Sequence, residues 1–142
     1  MNKRGGLDMA QEMIENLKLY AIDQSFPSDE LYQYLNTACQ LKASGELEAV
    51  YKIYIKIYEK QLLEYNKDLD GSYEEHIIEK VNFLTELATL NLMFTGNLQK
   101  SIQYIDETLD LLDAHESVAP YVDCNSIKKK KRDYMQLLLT II

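Results

Sequence analysis

The sequence predicts an all-α protein, an array of antiparallel helix hairpins or a bundle of about six helices. Three observations carry that expectation. Only two prolines and five glycines occur in 142 residues, too few turns for a sandwich of short strands. Leu, Glu and Lys are the commonest residues while Val is scarce, a balance that favours helix over strand. Apolar residues recur at helical period through most of the chain. Leu, Ile, Val and Phe make up 40 of the 142 residues, enough apolar surface to form a core without disulfides or structural metal.

Residues 1–7 read as a tail and 8–142 as a single helical domain. A first helix over Asp8–Ile22 follows from the stripe Met13, Ile14, Leu17, Tyr20 and Ala21. After Pro27, Ser28 is suited to cap a second helix whose first turn holds Asp29 and Glu30, charges that favour the positive end of the helix dipole. That helix carries Leu31, Leu35, Ala38 and Leu41 and stops at Ser44-Gly45. A third, Glu46–Tyr65, places Leu47, Val50, Tyr51, Tyr54, Ile57, Tyr58 and Leu62 on one side. The stretch Asn66 to Gly71 is a loop, and Ser72-Tyr73-Glu74-Glu75 has the form of a capping box opening the fourth helix. The fourth runs to Phe94 with Ile77, Ile78, Val81, Leu84, Ala88 and Leu92 inward. Thr95-Gly96-Asn97 breaks it, and Asn97 is set to cap a fifth helix bearing Leu98, Ile102, Ile105, Leu109 and Leu112. A linker around Pro120 leads to a sixth helix from Ile127, with Tyr134, Leu137, Leu138 and Ile141 inward.

Two stretches match at an offset of 51 residues. Leu41, Ser44, Gly45, Leu47, Tyr51, Tyr54 and Tyr58 answer to Leu92, Thr95, Gly96, Leu98, Ile102, Ile105 and Leu109, and Val50 and Ser101 fit the same motif position in the two copies. Ala38 extends the first copy, and Thr89 and Thr108 extend the second. This pattern resembles the tetratricopeptide family over about residues 31–113, with a repeat lengthened beyond the family's roughly 34 residues by an extended helix and the 66–71 loop. The resemblance implies helix pairs stacked into a scaffold that binds a protein or peptide. Peptide-sensing receptors of low-GC bacteria use such arrays, and the Lys-, Ile- and Tyr-rich usage is similar. That implies an alternative role as a helical regulator, a decoy or inhibitor of a larger receptor.

Formal net charge is −8, which argues against broad nucleic-acid binding. Lys128, Lys129, Lys130, Lys131 and Arg132 hold five of the 15 basic residues, leaving ten against 23 acidic ones, −13, for the rest. Such a run reads either as a solvated helix start, one that can also neutralise the acidic surface of a neighbouring helix, or as a contact for phosphates or an acidic partner. Eleven tyrosines stand against three phenylalanines. Tyr51, Tyr54 and Tyr58 fall at i, i+3, i+7, with Tyr65 further on, a row that serves as core edge or as aromatic anchors. The terminal Leu138, Leu139, Ile141 and Ile142 mark a helix apolar all round, which needs cover and points to self-association through that helix.

No catalytic signature is present. His76 lies among Glu74, Glu75 and Glu79, but Tyr73 and Leu112 occupy the positions three before the two histidines, so neither completes Glu-x-x-His. Cys39 and Cys124 form no CxxC and read as structural thiols of a reducing cytoplasm. Phosphate-binding and nucleophile-elbow motifs do not occur. The expectation is a non-enzymatic module without cofactor or metal, cytoplasmic, lacking a signal peptide or membrane span.

Overall fold

The computed structural model describes residues 29–64 and 73–141. The expected tail over 1–7, the expected helix over 8–22 and the expected loop over 66–71 lie outside the described residues, as do residues 23–28, Tyr65, Ser72 and Ile142. Within them the chain is all-α. We label the helices α1 (Asp29–Ala43), α2 (Leu47–Glu59), α3 (Tyr73–Thr95), α4 (Leu98–Ala114) and α5 (Cys124–Ile141), with a 3-10 helix (Glu116–Tyr121) before α5. No strand occurs among the described residues. Residues 29–64 belong to one compact unit and 73–141 to a second.

In the first unit α1 packs on α2 through Leu31, Ala38, Val50, Tyr54 and Ile57, all buried. Their connection turns at Gly45, whose φ is +76°, a left-handed conformation that costs a side-chain-bearing residue. The Gly45 amide donates to the Lys42 carbonyl at 3.0 Å and the Glu46 amide to Leu41 at 2.9 Å, the paired bonds of a Schellman terminus. Helix α2 stops at Glu59, well short of the Tyr65 predicted from its periodicity. The same paired bonds end it: Gln61 donates to Tyr58 at 3.1 Å and Leu62 to Ile57 at 3.2 Å. Here the left-handed position is filled by Gln61, φ +54°. No glycine flags this stop. The reversal seats Leu63 in the interior, 7 % exposed, so apolar burial offsets the strained residue.

In the second unit α3 and α4 form another hairpin, turning at Gly96 with φ +68°. The Asn97 side chain caps α4 as predicted, accepting from the Lys100 amide at 3.0 Å. A buried polar clip joins the two helices. Asn91 Nδ2 donates to the Asn97 carbonyl at 3.0 Å and to Ser101 Oγ at 2.9 Å. Ser101 Oγ donates in turn to the Ala88 carbonyl at 2.8 Å. Ser101 is wholly buried, as is Val50, its counterpart 51 residues earlier. Small side chains at Ala88 and Ser101 let the backbones approach closely enough for a side chain to reach the opposite carbonyl.

The expected linker is the 3-10 helix, with Pro120 inside it and Val118 fully buried against α3 and α4. Helix α5 begins earlier than predicted, at Cys124, where Asp123 Oδ1 accepts from the Ser126 amide at 3.0 Å. It packs on α4, and Ile127 is its one buried residue. Two predicted inward positions are corrected: Leu137 is 47 % and Ile141 65 % exposed. The stripe predicted a covered face, but contact with α4 engages one narrow side of α5 and leaves its last turns in solvent.

Candidate functional site

The tyrosine row does not form one exposed stripe. Tyr54 packs inside the first hairpin, 6 % exposed, with the Lys42 ammonium 5.4 Å from its ring centroid. Buried there, Tyr54 takes no part in an exposed aromatic contact face. Tyr51 and Tyr58 are half-buried at the edge of α2. Desolvation, aided by the Glu59 charge, pushes the Tyr51 phenol above its ordinary value. On the same hairpin the exposed Lys60 pairs with Glu30 and lies over the Tyr34 ring, 5.6 Å from its centroid.

The basic run opens α5, where successive residues point about 100° apart and meet different surroundings. Lys128, Lys129 and Arg132 are exposed. Lys131 turns onto α4 and pairs with Asp106, 2.7 Å from Nζ to Oδ1. Lys130 turns toward α3, where its ammonium donates to Thr89 Oγ1 at 2.6 Å. Partial burial pushes Lys130 below the ordinary lysine value, since the charged form loses water. Tyr134, one turn on, is pushed up by desolvation, an effect opposed by its hydrogen bond with Thr89.

Lys130 forms one wall of an open groove of about 350 Å³. Its other wall is the face of α3 carrying Asn82, Thr85, Glu86 and Thr89, at i, i+3, i+4 and i+7. The α5 side also presents Val122, Asp123, Ser126 and Ile127. Several polar groups there are already engaged. The Thr85 hydroxyl donates to the Val81 carbonyl at 2.8 Å, and the Asp123 carboxylate caps α5. The lining therefore offers hydrogen-bonding side chains, apolar contact from Val122 and Ile127, and a half-buried ammonium. That combination suits binding of a polar group with aliphatic neighbours.

A second exposed feature lies at the far end of α5. Met135, Leu137, Leu139 and Ile141 are 46 %, 47 %, 69 % and 65 % exposed, with Leu138 half-buried between them. Leu139 and Ile141 thus stand where self-association was predicted; Ile142, like Tyr65, is outside the described residues.

Neither Cys39 nor Cys124 forms a disulfide; both are half-buried, and Cys124 Sγ contacts the Ala119 carbonyl at 3.6 Å. Among the described residues no three His, Cys, Asp or Glu side chains converge as a metal site requires. No described helix is long and apolar enough to cross a membrane. Sequence reasoning placed Thr89 only as a repeat position and missed the groove. The sole signal was the polar spacing from Asn82 to Thr89 on one face of a predicted helix. No family model, curated protein or solved structure matches the chain.

Proposed function

We propose that this chain is a non-catalytic interaction module that binds protein or peptide partners and pairs with a second copy of itself through the end of α5. The observation carrying the proposal is the uncovered apolar end of that helix. Leucine-sized side chains gain about 1.5–3 kcal/mol each on full burial, and these four have roughly half of that still to gain. At about 100° per residue Met135 and Leu139 lie on one side of α5 and Leu137 and Ile141 on the other, so a partner helix covers one pair, and two copies together would recover about 4 kcal/mol, close to the least cost of association, ~4 kcal/mol. So close a balance gives a weak, concentration-dependent pair.

The charge pattern permits it. Tyr134 to Ile142 include no charged side chain. Antiparallel pairing centred near Leu138 sets the two Arg132 positions roughly 20 Å apart along the axis, at 1.5 Å per residue. That exceeds the screening length of about 8 Å at physiological salt. Tyr51, Tyr58 and the exposed Lys128, Lys129 and Arg132 would serve as further partner contacts. Repeated hairpins turning at Gly45 and Gly96 support a tetratricopeptide-like scaffold, and cysteines without a disulfide fit a cytoplasmic setting.

Light scattering across a concentration series tests the pairing. The average mass should rise above 16.5 kDa with concentration, and Leu139→Gln/Ile141→Gln should hold it at the monomer value. A wild-type monomer at every concentration would remove self-pairing.

A further inference from the structure

We infer that the α3–α5 groove receives an acidic-aliphatic peptide segment whose side-chain carboxylate pairs with Lys130. The inference rests on the interaction-module reading and names a partner chemistry for a second surface, distinct from the apolar end of α5. Its basis is an asymmetry within the basic run. Lys131 already has a carboxylate, Asp106, at 2.7 Å. Lys130, half-buried, has the neutral Thr89 hydroxyl at 2.6 Å and no carboxylate partner among the described residues. A half-buried ammonium held by one hydroxyl retains donors that face the groove, and a carboxylate meets them with a charge-assisted bond. The depressed proton affinity of Lys130 points the same way.

The rest of the lining narrows the occupant. Val122 and Ile127 offer apolar contact beside the ammonium. Glu86 and Asp123 also line the groove and repel a run of acids. The segment that fits therefore carries one carboxylate flanked by aliphatic side chains, not a polyacid and not a nucleic-acid backbone with its repeated phosphates.

The test is amide-shift mapping on the isotope-labelled full chain. The probe is an acetylated, amidated Leu-Glu-Leu tripeptide, whose only carboxylate is the glutamate side chain. Shifts should localise to the amides of Thr85, Thr89, Ser126 and Lys130. The Leu-Gln-Leu analogue should bind roughly tenfold more weakly, the worth of one charge-assisted bond. Lys130→Met should weaken the Glu peptide by a similar factor and Lys130→Arg should retain most binding. Lys52→Met, the same charge change at an exposed site on α2, should leave it unaltered. Equal binding of the Gln analogue, or a Lys130→Met chain that binds as wild type does, overturns the inference. So does saturation of the groove signals by inorganic phosphate or oligothymidylate at equal or lower concentration. Groove shifts on concentrating the chain alone would assign the groove to a second copy and overturn it as well. Failure here with the concentration-dependent mass intact overturns this inference alone. The reverse result removes self-pairing and leaves the groove standing.

Discussion

Ser101→Ala tests how the second hairpin is held. The substitution deletes one oxygen that makes two bonds, 2.9 Å from Asn91 Nδ2 and 2.8 Å to the Ala88 carbonyl. Neither partner is stripped bare. The Asn91 amide keeps the Asn97 carbonyl at 3.0 Å, and the Ala88 carbonyl lies within α3, where the helix supplies its own donor. The cost is then two ordinary hydrogen bonds without an orphaned buried group, about 1–2 kcal/mol. Ser101→Val imports the residue found at the equivalent Val50. It loses the same bonds and forces extra volume against the Ala88 backbone, so it should cost more, about 2–4 kcal/mol in total. Asn91→Ala removes both donors and opens a small void, about 2–3 kcal/mol. Urea denaturation followed by circular dichroism gives these differences from the midpoint shift at constant slope. A neutral Ser101→Ala would refute the clip. A Ser101→Val chain as stable as wild type would show that α3 and α4 are not held at close approach.

The remaining expectations concern turns and titration. Gly96→Ala should cost about 1 kcal/mol in the same denaturation assay; because a Cβ there meets nothing within 4 Å, the penalty is conformational, and Gly96→Asn should recover part of it. Gln61→Gly should stabilise the first hairpin by about 0.5 kcal/mol, relief of the left-handed strain less the glycine entropy; a loss would show that the Gln61 side chain supports the turn. Desolvation first and the Glu75 charge second raise the Glu79 carboxyl above its ordinary 4.5. The folded chain therefore binds that proton more tightly than the unfolded chain, and stability falls as pH rises from 4.5 through the raised value. Glu79→Gln should accordingly stabilise at neutral pH, by less than about 1 kcal/mol for so exposed a group. That gain should vanish below pH 4.5 in paired melting curves.

How far the fold was legible depended on whether a feature was local. Gly45 and Gly96 sit at left-handed φ, and Asn97 caps α4, because turn and cap chemistry is written in the few residues that make it. The end of α2 was not legible. Nothing in Gln61 announces a left-handed residue, and the gain that offsets it is the burial of Leu63 within the hairpin. Periodicity located the apolar sides of α5 but could not say which would be covered. The last turns of α5 are apolar on most sides and satisfy any stripe drawn on them, and packing on one neighbour left Leu137 and Ile141 outside. The groove was least legible. It needs Thr89 and Lys130, 41 residues apart, brought within 2.6 Å by two helices that sequence alone does not show to be neighbours.

These same contacts divide α5 into two halves with different roles. Its first half is seated by Ile127 in the core, by Lys131 on α4 and by Lys130 on α3. The exposed Lys131–Asp106 pair contributes little, under about 1 kcal/mol, so burial of Ile127 at about 1.5–3 kcal/mol is the main anchor. The second half has only the half-buried Tyr134 and Leu138 to oppose fraying, and its apolar surface works against remaining in water. A helix so divided gains order from whatever covers its end, because any partner that binds the folded form stabilises it by mass action. Self-pairing should therefore slow hydrogen exchange selectively at amides of residues 135–141 as concentration rises, leaving those of residues 127–131 unchanged. Uniform protection along α5 would mean that the helix is held as one piece and that its apolar end is not the surface that pairs.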